Sequence, residues 1–206
     1  MVECQLPKLK VVGSNPIARS SNSSLTGNEL NVTENGLIHI YTGDGKGKTT
    51  SALGLALRAR SRGKRILFAQ FFKEKDERGE LSLLDQLGVK IMVFDSIKSP
   101  FFYPSIDRTN LRDEAEKALN DLQEIISANA FDLVILDEFI CLVSEDVISE
   151  SEAVTFLHHK PMALELVLTG RGATERIMAE ADYVTYMKHI KHPYDKGIKA
   201  RKGIEI

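Results

Sequence analysis

Residues 37–62 constrain the fold more than any other part of the chain. LIHIY is typical of a short apolar strand, TGDGKGKTT of a glycine-rich turn, and SALGLALRARSRG of a helix. Gly43, Gly45 and Gly47 allow the backbone to turn tightly, so that several N–H groups can face one anion. The following helix directs the positive end of its dipole to the same place. This succession predicts a phosphate-binding loop.

The polar residues of this turn indicate what it binds. Lys48 supplies a positive charge for phosphates, and the Thr49 hydroxyl is placed to ligate Mg²⁺. The general pattern G-x-x-x-x-G-K-[ST] requires glycine at position 42, where this chain has Thr42. A glycine turn that only caps a helix is the alternative. The predicted phosphate-binding residues of the loop, which the resemblance described below assigns to ATP, are Gly43, Asp44, Gly45, Lys46, Gly47, Lys48, Thr49 and Thr50.

Composition divides the chain into two parts. Residues 1–36 are rich in Ser and Asn and have almost no acid before Glu29. We predict a flexible polar tail there, with an organellar transit peptide as the alternative. Residues 37–206 are long enough to bury one good core and are predicted to form one domain.

Charge and cysteine content exclude several classes of protein. The net charge of −2 gives no reason to expect a nucleic-acid partner. No apolar run approaches the roughly 20 residues needed to cross a bilayer. Cys4 lies in the polar tail and Cys141 just after an apolar strand, so a disulfide is not expected. We therefore predict a protein of a reducing compartment, the cytoplasm.

Strands and helices alternate from residue 37 onward. Near-continuous apolar runs predict strands at 37–41, 65–70, 89–94, 132–136, 164–169 and 182–187. The segments between them predict helices at 48–62, 78–87, 107–129, 149–159 and 173–180. This order predicts an α/β fold, a mostly parallel sheet flanked by helices. Ligands of such sheets bind at the carboxyl ends of the strands, where residues 42–49 lie.

Two further strand ends have polar residues suited to a nucleotide site. FDLVILDEF ends in Asp137 and Glu138, and acids at a strand tip opposite a lysine loop suit a Mg²⁺–nucleotide complex. A pair of solvated acids is the alternative. LVLTGRGA places Arg171 between two glycines, where its guanidinium could reach phosphate oxygens as a bidentate donor. An exposed arginine in an ordinary turn is the alternative.

Taken in order from about residue 36 to 206, the motifs resemble one family. They are TGDGKGKTTSALGLALRA, ILFAQFFK, GELSLLDQLGV, LVILDEF, LTGRGA, ADYVTYM and KHPYDKGIKARKGIEI. The chain thereby resembles the P-loop cob(I)alamin adenosyltransferases, also called corrinoid adenosyltransferases. The closing string is the most family-specific part, and Thr42 also matches the family form.

The resemblance implies a RecA-like P-loop NTPase fold, usually in a homodimer. It implies transfer of the 5′-deoxyadenosyl group of ATP to the cobalt of a reduced corrinoid, with release of triphosphate. Thr49 and Glu138 would serve Mg²⁺ with support from Asp137, and Mn²⁺ is an alternative ion. Lys48 and Glu138 are the predicted catalytic polar residues, with Arg171 near the nucleotide. Lys191 and His192 would shape the site, and a flavoprotein is a candidate electron donor.

The chain departs from the family at the site for the corrinoid. The family excludes the lower axial ligand of cobalt with a Gly-Phe-Thr-Trp string, whereas this chain has no tryptophan. KSPFFYPSID stands there instead, and Phe101 and Phe102 are the predicted catalytic aromatics, covering one face of a corrin ring. A loop packed into the core is the alternative.

Two other functions remain open from sequence. A P-loop ATPase or kinase would break a phosphoanhydride bond and would not release free triphosphate. A nucleotide or corrinoid carrier would bind both substrates without turnover.

Overall fold

The computed structural model describes residues 35–73, 79–128 and 130–204. The predicted tail therefore lies outside the described residues, except for its last two. The strands are β1 (Ile38–Thr42), β2 (Ile66–Gln70), β3 (Lys90–Val93), β4 (Leu133–Asp137), β5 (Glu165–Thr169) and β6 (Tyr183–Tyr186). The helices are α1 (Lys48–Arg60), α2 (Gly79–Gln86), α3 (Arg108–Ser127), α4 (Phe139–Ser144), α5 (Glu150–His158) and α6 (Glu175–Ala179), followed by a 3₁₀ turn (Pro193–Lys196).

The six strands in these ranges form one sheet in the order β3-β2-β4-β5-β1-β6. Every neighbouring pair is parallel, so the sheet is wholly rather than mostly parallel. In its register, Ile40 of β1 lies between Leu168 of β5 and Val184 of β6. The predicted α/β fold is confirmed, and each predicted strand and helix lies within two residues of its observed bounds.

Helix α4 and the 3₁₀ turn were not predicted. FICLVS is a mostly apolar run of only six residues, no longer than a buried strand, so its hydrophobicity alone does not identify it as a helix. The chain changes direction between β4 and α4 at Glu138, whose backbone has a left-handed φ of 62°. This reversal of direction is costly for a residue with a side chain.

The core lies on both faces of the sheet. All five residues of β2 and all five of β4 are buried, as expected for central strands covered from both sides. One face packs against α1 and α2, and the other against α3 to α6. Ala52 and Ala56 let α1 approach the sheet closely, since both are fully buried.

Helix α5 begins in a capping box that also joins it to α3. The Ser149 hydroxyl accepts from the backbone N–H of Glu152, and the Glu152 carboxylate accepts from the N–H of Ser149. Arg112 of α3 pairs with the same carboxylate. Burial raises the pKa of Glu152, but the hydrogen bonds from Arg112 and Ser149 outweigh it and lower the pKa to about 2.

Strand β6 differs from the others because all four of its residues are exposed. It is an edge strand, paired with β1 alone in the described sheet. Within the described ranges, no helix is both long enough and apolar enough to cross a membrane.

Candidate phosphate-binding site

The loop between β1 and α1 has the geometry that its glycines predict. Gly43 and Gly47 have φ values of 96° and 120°, which favour glycine. Gly45 is required for a different reason. A Cβ atom there would lie 2.7 Å from the backbone oxygen of Met187, just after β6. The Gly45 N–H donates to that oxygen at 2.7 Å, so the end of β6 forms one wall of the loop.

Lys48 lies at the start of α1 with its ammonium folded back over the loop. Nζ donates to the carbonyl oxygens of Gly43 at 2.7 Å and Gly45 at 2.9 Å. Burial lowers the pKa of Lys48, and the positive charge of Arg171 lowers the pKa further. An ammonium has three donors, so one N–H beyond these two bonds can serve a phosphate oxygen.

Thr42 has a structural role at the position where the general pattern has glycine. Its side chain is 1% exposed, and Oγ1 accepts from the backbone N–H of Ala173 at 3.3 Å. Its φ is not positive, so the backbone does not require glycine there. The hydroxyl therefore ties the end of β1 to the Gly170–Gly172 turn that contains Arg171.

The two acids after β4 have different environments. Asp137 is fully buried, with Oδ1 accepting from the Thr169 hydroxyl at 2.6 Å and Oδ2 from the Gln70 amide at 2.8 Å. Glu138 turns outward because of its left-handed backbone and faces the cavity. Thus Asp137 lies behind the site and Glu138 in it.

Glu138 is held by a thiol as well as by the backbone. Its Oε2 accepts from Sγ of Cys141 at 2.9 Å, and its N–H donates to the Thr169 hydroxyl at 3.0 Å. Burial raises the pKa of Glu138, and the neighbouring Asp137 raises the pKa further. Burial also raises the pKa of the Cys141 thiol, so it stays protonated as a donor.

Arg171 follows β5 in a turn that fits closely against α4. A Cβ at Gly170 would lie 2.8 Å from Cβ of Ile140, and a Cβ at Gly172 would lie 2.8 Å from Cβ of Ser144. Both glycines also have positive φ values. The glycines on either side of Arg171 therefore let this turn pack directly on α4.

These residues surround a cavity of about 310 Å³. Its lining includes all the predicted loop residues except Gly43, whose carbonyl accepts from Lys48, and it includes Glu138 and Arg171. Asp137, Phe101 and Phe102 are not part of the lining. The structure thus brings together the ends of β1, β4 and β5, as the parallel order predicts.

The C-terminal segment, residues 188–204, forms the opposite wall. Of the two residues predicted to shape the site, His192 lines the cavity and Lys191 does not. Lys46 Nζ donates to the Ile204 carbonyl oxygen at 3.1 Å. The two cations of the string KAR, Lys199 and Arg201, could have indicated an anion site, but the sequence analysis did not predict them. The wall residues that it missed are Pro193, Tyr194, Ile198, Lys199, Ala200, Arg201 and Ile204.

The aromatic loop, residues 94–107, exposes its phenylalanines. Phe101 and Phe102 are 77% and 74% exposed, and their rings meet edge to face with centroids 5.1 Å apart. A loop packed into the core is therefore wrong for these two side chains. Their exposure leaves a role in covering a flat apolar ligand as the remaining prediction.

The polar residues fit a cation shared with a polyphosphate. Thr49 and Glu138 both line the cavity. The described part of the chain has no group of three or more His, Cys, Asp or Glu side chains able to hold a metal. Mg²⁺ is commonly bound by one or two protein ligands together with substrate phosphates and waters. The Thr49 hydroxyl and the Glu138 carboxylate are a suitable pair of protein ligands for such an ion.

Comparison with known proteins places these features in a family. The sequence model described as ATP:corrinoid adenosyltransferase BtuR/CobO/CobP matches residues 34–206. A corrinoid adenosyltransferase of Escherichia coli (strain K12) is 33% identical over 172 residues, 84% of this chain and 86% of that protein. One from Sinorhizobium sp is 37% identical over 174 residues, 84% of this chain and 81% of that protein. Corrinoid adenosyltransferase CobA of Salmonella typhimurium (strain LT2) is 33% identical over 172 residues, again 84% of this chain and 86% of the relative.

Proposed function

The chain belongs to the ATP:corrinoid adenosyltransferase family, and we propose from this membership that it transfers the 5′-deoxyadenosyl group of ATP to the cobalt of a reduced corrinoid. The corrinoid is cob(I)alamin or cobyrinate a,c-diamide, and inorganic triphosphate is released. The observation that supports this proposal is the family match over residues 34–206, which include the whole phosphate-binding cavity. We further propose that residues 37–206 are the catalytic domain.

The reaction places few chemical demands on the protein. The electron pair of Co(I) forms a bond with the 5′ carbon of ATP as the bond from that carbon to oxygen breaks. Triphosphate leaves with the electron pair of the broken bond, so no general base is needed. The tasks left to the chain are positioning and stabilisation of negative charge on the leaving group.

We assign stabilisation of the triphosphate to the loop residues, Lys48 and Arg171. The backbone N–H groups of the loop and the start of α1 suit an anion. Arg171 is near enough for its positive charge to contribute to the lowered pKa of Lys48, a repulsion that a bound polyanion would relieve. Mg²⁺, or Mn²⁺ in its place, would be held by Thr49 and Glu138, and when bound would neutralise part of the leaving charge. Asp137 would give support from behind the site, where its bonds to Thr169 and Gln70 fix the strand end that precedes Glu138.

We assign the corrinoid face to Phe101 and Phe102. Two exposed rings on a proline-bounded loop present an apolar surface of the kind that a corrin ring needs on one side. By displacing the lower axial ligand, they would make Co(II) easier to reduce. An electron donor such as a flavoprotein, a homodimeric state and a cytoplasmic location are further parts of this proposal.

The deciding experiment mixes the protein anaerobically with ATP, Mg²⁺ and chemically reduced cobalamin. We expect loss of the Co(I) absorbance bands, growth of a light-sensitive alkylcobalamin, and one inorganic triphosphate for each product. ADP with phosphate would instead indicate an ATPase or kinase. Binding of both substrates with an unchanged spectrum would indicate a carrier. Lys48→Ala serves as the control that lacks nucleotide binding.

A further inference from the structure

We propose that Glu145 is a positioning residue that fixes the aromatic loop to the helix that begins at the nucleotide site. Glu145 directly follows α4, whereas Glu138 directly precedes it. At a rise of about 1.5 Å per residue, the two glutamates lie roughly 10 Å apart along one helix. The proposal deepens the proposed function and rests on it for the identity of the two substrates.

Glu145 binds the aromatic loop through its side chain. Oε2 accepts from the Ser99 hydroxyl at 2.7 Å and from the backbone N–H of Phe101 at 3.1 Å. The first residue of α3, directly after the loop, is held by the backbone of Glu145, whose carbonyl oxygen accepts from Arg108 at 2.8 Å. A carboxylate bonded to two donors of one loop restricts that loop more than a single exposed contact does.

The anchored serine also shapes the turn that presents the two rings. Ser99 is only 4% exposed, and its carbonyl oxygen accepts from the N–H groups of Phe102 at 3.1 Å and Tyr103 at 2.9 Å. The carboxylate of Glu145 thus holds the residue around which the Phe101–Phe102 pair turns. Loss of that carboxylate would release the pair without removing either ring.

The other end of α4 is held just as firmly to the phosphate-binding site. Five of its six residues are buried, so the helix has little room to shift. Cys141, in its first turn, donates to Glu138 and accepts from the N–H of Arg171 at 3.3 Å. Gly170 and Gly172 pack against it at distances that no Cβ would allow. The helix therefore connects the residues proposed for triphosphate with those proposed for the corrinoid face.

This arrangement predicts a separation of effects. Substitution of Glu145 should loosen the corrinoid side while the nucleotide side, held at Glu138 and Arg171, stays intact. A purely structural role for Glu145 would instead lower the stability and both substrate affinities together. The Glu145 carboxylate is half-buried, and α4 is already held by its buried apolar residues. We therefore expect Glu145 substitutions to affect the corrinoid side alone.

A fluorescence experiment tests the anchor independently of any activity. The chain has no tryptophan, so Phe102→Trp, at an exposed position, introduces a single indole on the loop. We expect the anisotropy of this indole to fall when Glu145→Ala is added and to be kept with Glu145→Gln, whose amide oxygen can still accept. Glu114→Ala is the matched control, since it removes a 2.7 Å bond from Ser96 of the same loop without touching α4.

A kinetic experiment on the otherwise unaltered chain tests the consequence. For Glu145→Ala we expect the rate from Co(II), with a reductant present, to fall about tenfold, the factor that about 1.4 kcal/mol represents. The Kd for ATP should stay within about twofold, the order expected of a substitution away from the binding site, since Glu145 does not line the phosphate-binding cavity. Glu145→Gln should restore most of the rate. An indole anisotropy that Glu145→Ala leaves unchanged would overturn the proposal. So would equal losses of affinity for ATP and for the corrinoid in that variant. An inactive wild-type protein with the expected anisotropy change would count against the proposed function and not against the anchor.

Discussion

Restoring the general phosphate-loop pattern by Thr42→Gly should weaken this protein. The substitution removes the hydroxyl that accepts from Ala173 and leaves a void at a position that is 1% exposed. It also adds a glycine at the end of β1, where the backbone does not need one. The usual consensus residue is therefore the wrong residue for this site.

The expected loss follows from three contributions. The hydrogen bond is worth about 1 kcal/mol, the buried methyl group about 0.8 kcal/mol, and the extra backbone freedom of glycine about 0.5–1 kcal/mol. Together they predict a decrease of about 2–3 kcal/mol in the free energy of unfolding, or roughly 5–10 °C in Tm for a domain of this size. The KM for ATP should rise as well, because Arg171 lies on the turn that Thr42 holds.

Two matched variants separate these contributions in urea unfolding followed by circular dichroism. Thr42→Val keeps the shape and loses the hydrogen bond, whereas Thr42→Ser keeps the bond and loses the methyl group. Each should lose about 1 kcal/mol, and Thr42→Gly should lose the most. A Thr42→Gly protein as stable as the wild type, with an unchanged KM for ATP, would refute this reasoning.

Three other outcomes are expected. Glu152→Gln should lower the free energy of unfolding by about 1 kcal/mol at neutral pH, a value reduced for solvent screening. Because the pKa of Glu152 in the folded protein is lowered to about 2, the difference between the variant and the wild type should vanish as the pH falls from about 4.5 to 2 in acid-unfolding curves. Gly45→Ala should abolish ATP binding in calorimetry, whereas Gly54→Ala, with open space around it, should bind normally and be about 1 kcal/mol more stable; equal binding would contradict the close wall of the loop. Phe102→Ala should slow the reaction from Co(II) more than from preformed Co(I), with an unchanged Tm; equal slowing would remove this residue from the axial-ligand role.

The fold and half of the site could be read from sequence because they depend on local patterns. Apolar runs of strand length alternate with helices, and a helix between two strands returns the chain to the same end of the sheet, so a parallel sheet follows. That order also brings Gly45, Glu138 and Arg171 together, since each follows a strand at the same edge of the sheet. These residues needed no tertiary information to be found.

The rest depends on packing that sequence does not display. Helix α4 is a mostly apolar run of six residues that has the length of a buried strand, and the left-handed backbone at Glu138 that precedes it cannot be seen in the sequence. The sequence KSPFFYPSID suits a buried or an exposed loop equally well, and it does not show that the Phe101 N–H bonds to Glu145, 44 residues away, while the Phe101 ring stays exposed. The C-terminal wall is polar and remote in sequence, so nothing local indicates that Lys46 meets Ile204.

The contact between Gly45 and Met187 links the phosphate-binding loop to the end of β6, a strand whose four residues are all exposed. The Met187 N–H donates to the Thr42 carbonyl oxygen at 2.8 Å, and the Met187 carbonyl oxygen accepts from the Gly45 N–H, so both backbone groups of this residue hold the loop. Local unfolding of β6 would break these bonds and open the phosphate-binding loop, while the buried central strands of the sheet stay paired. The rate of hydrogen exchange at the Gly45 amide therefore reports on local unfolding of the edge strand β6 as well as on nucleotide binding.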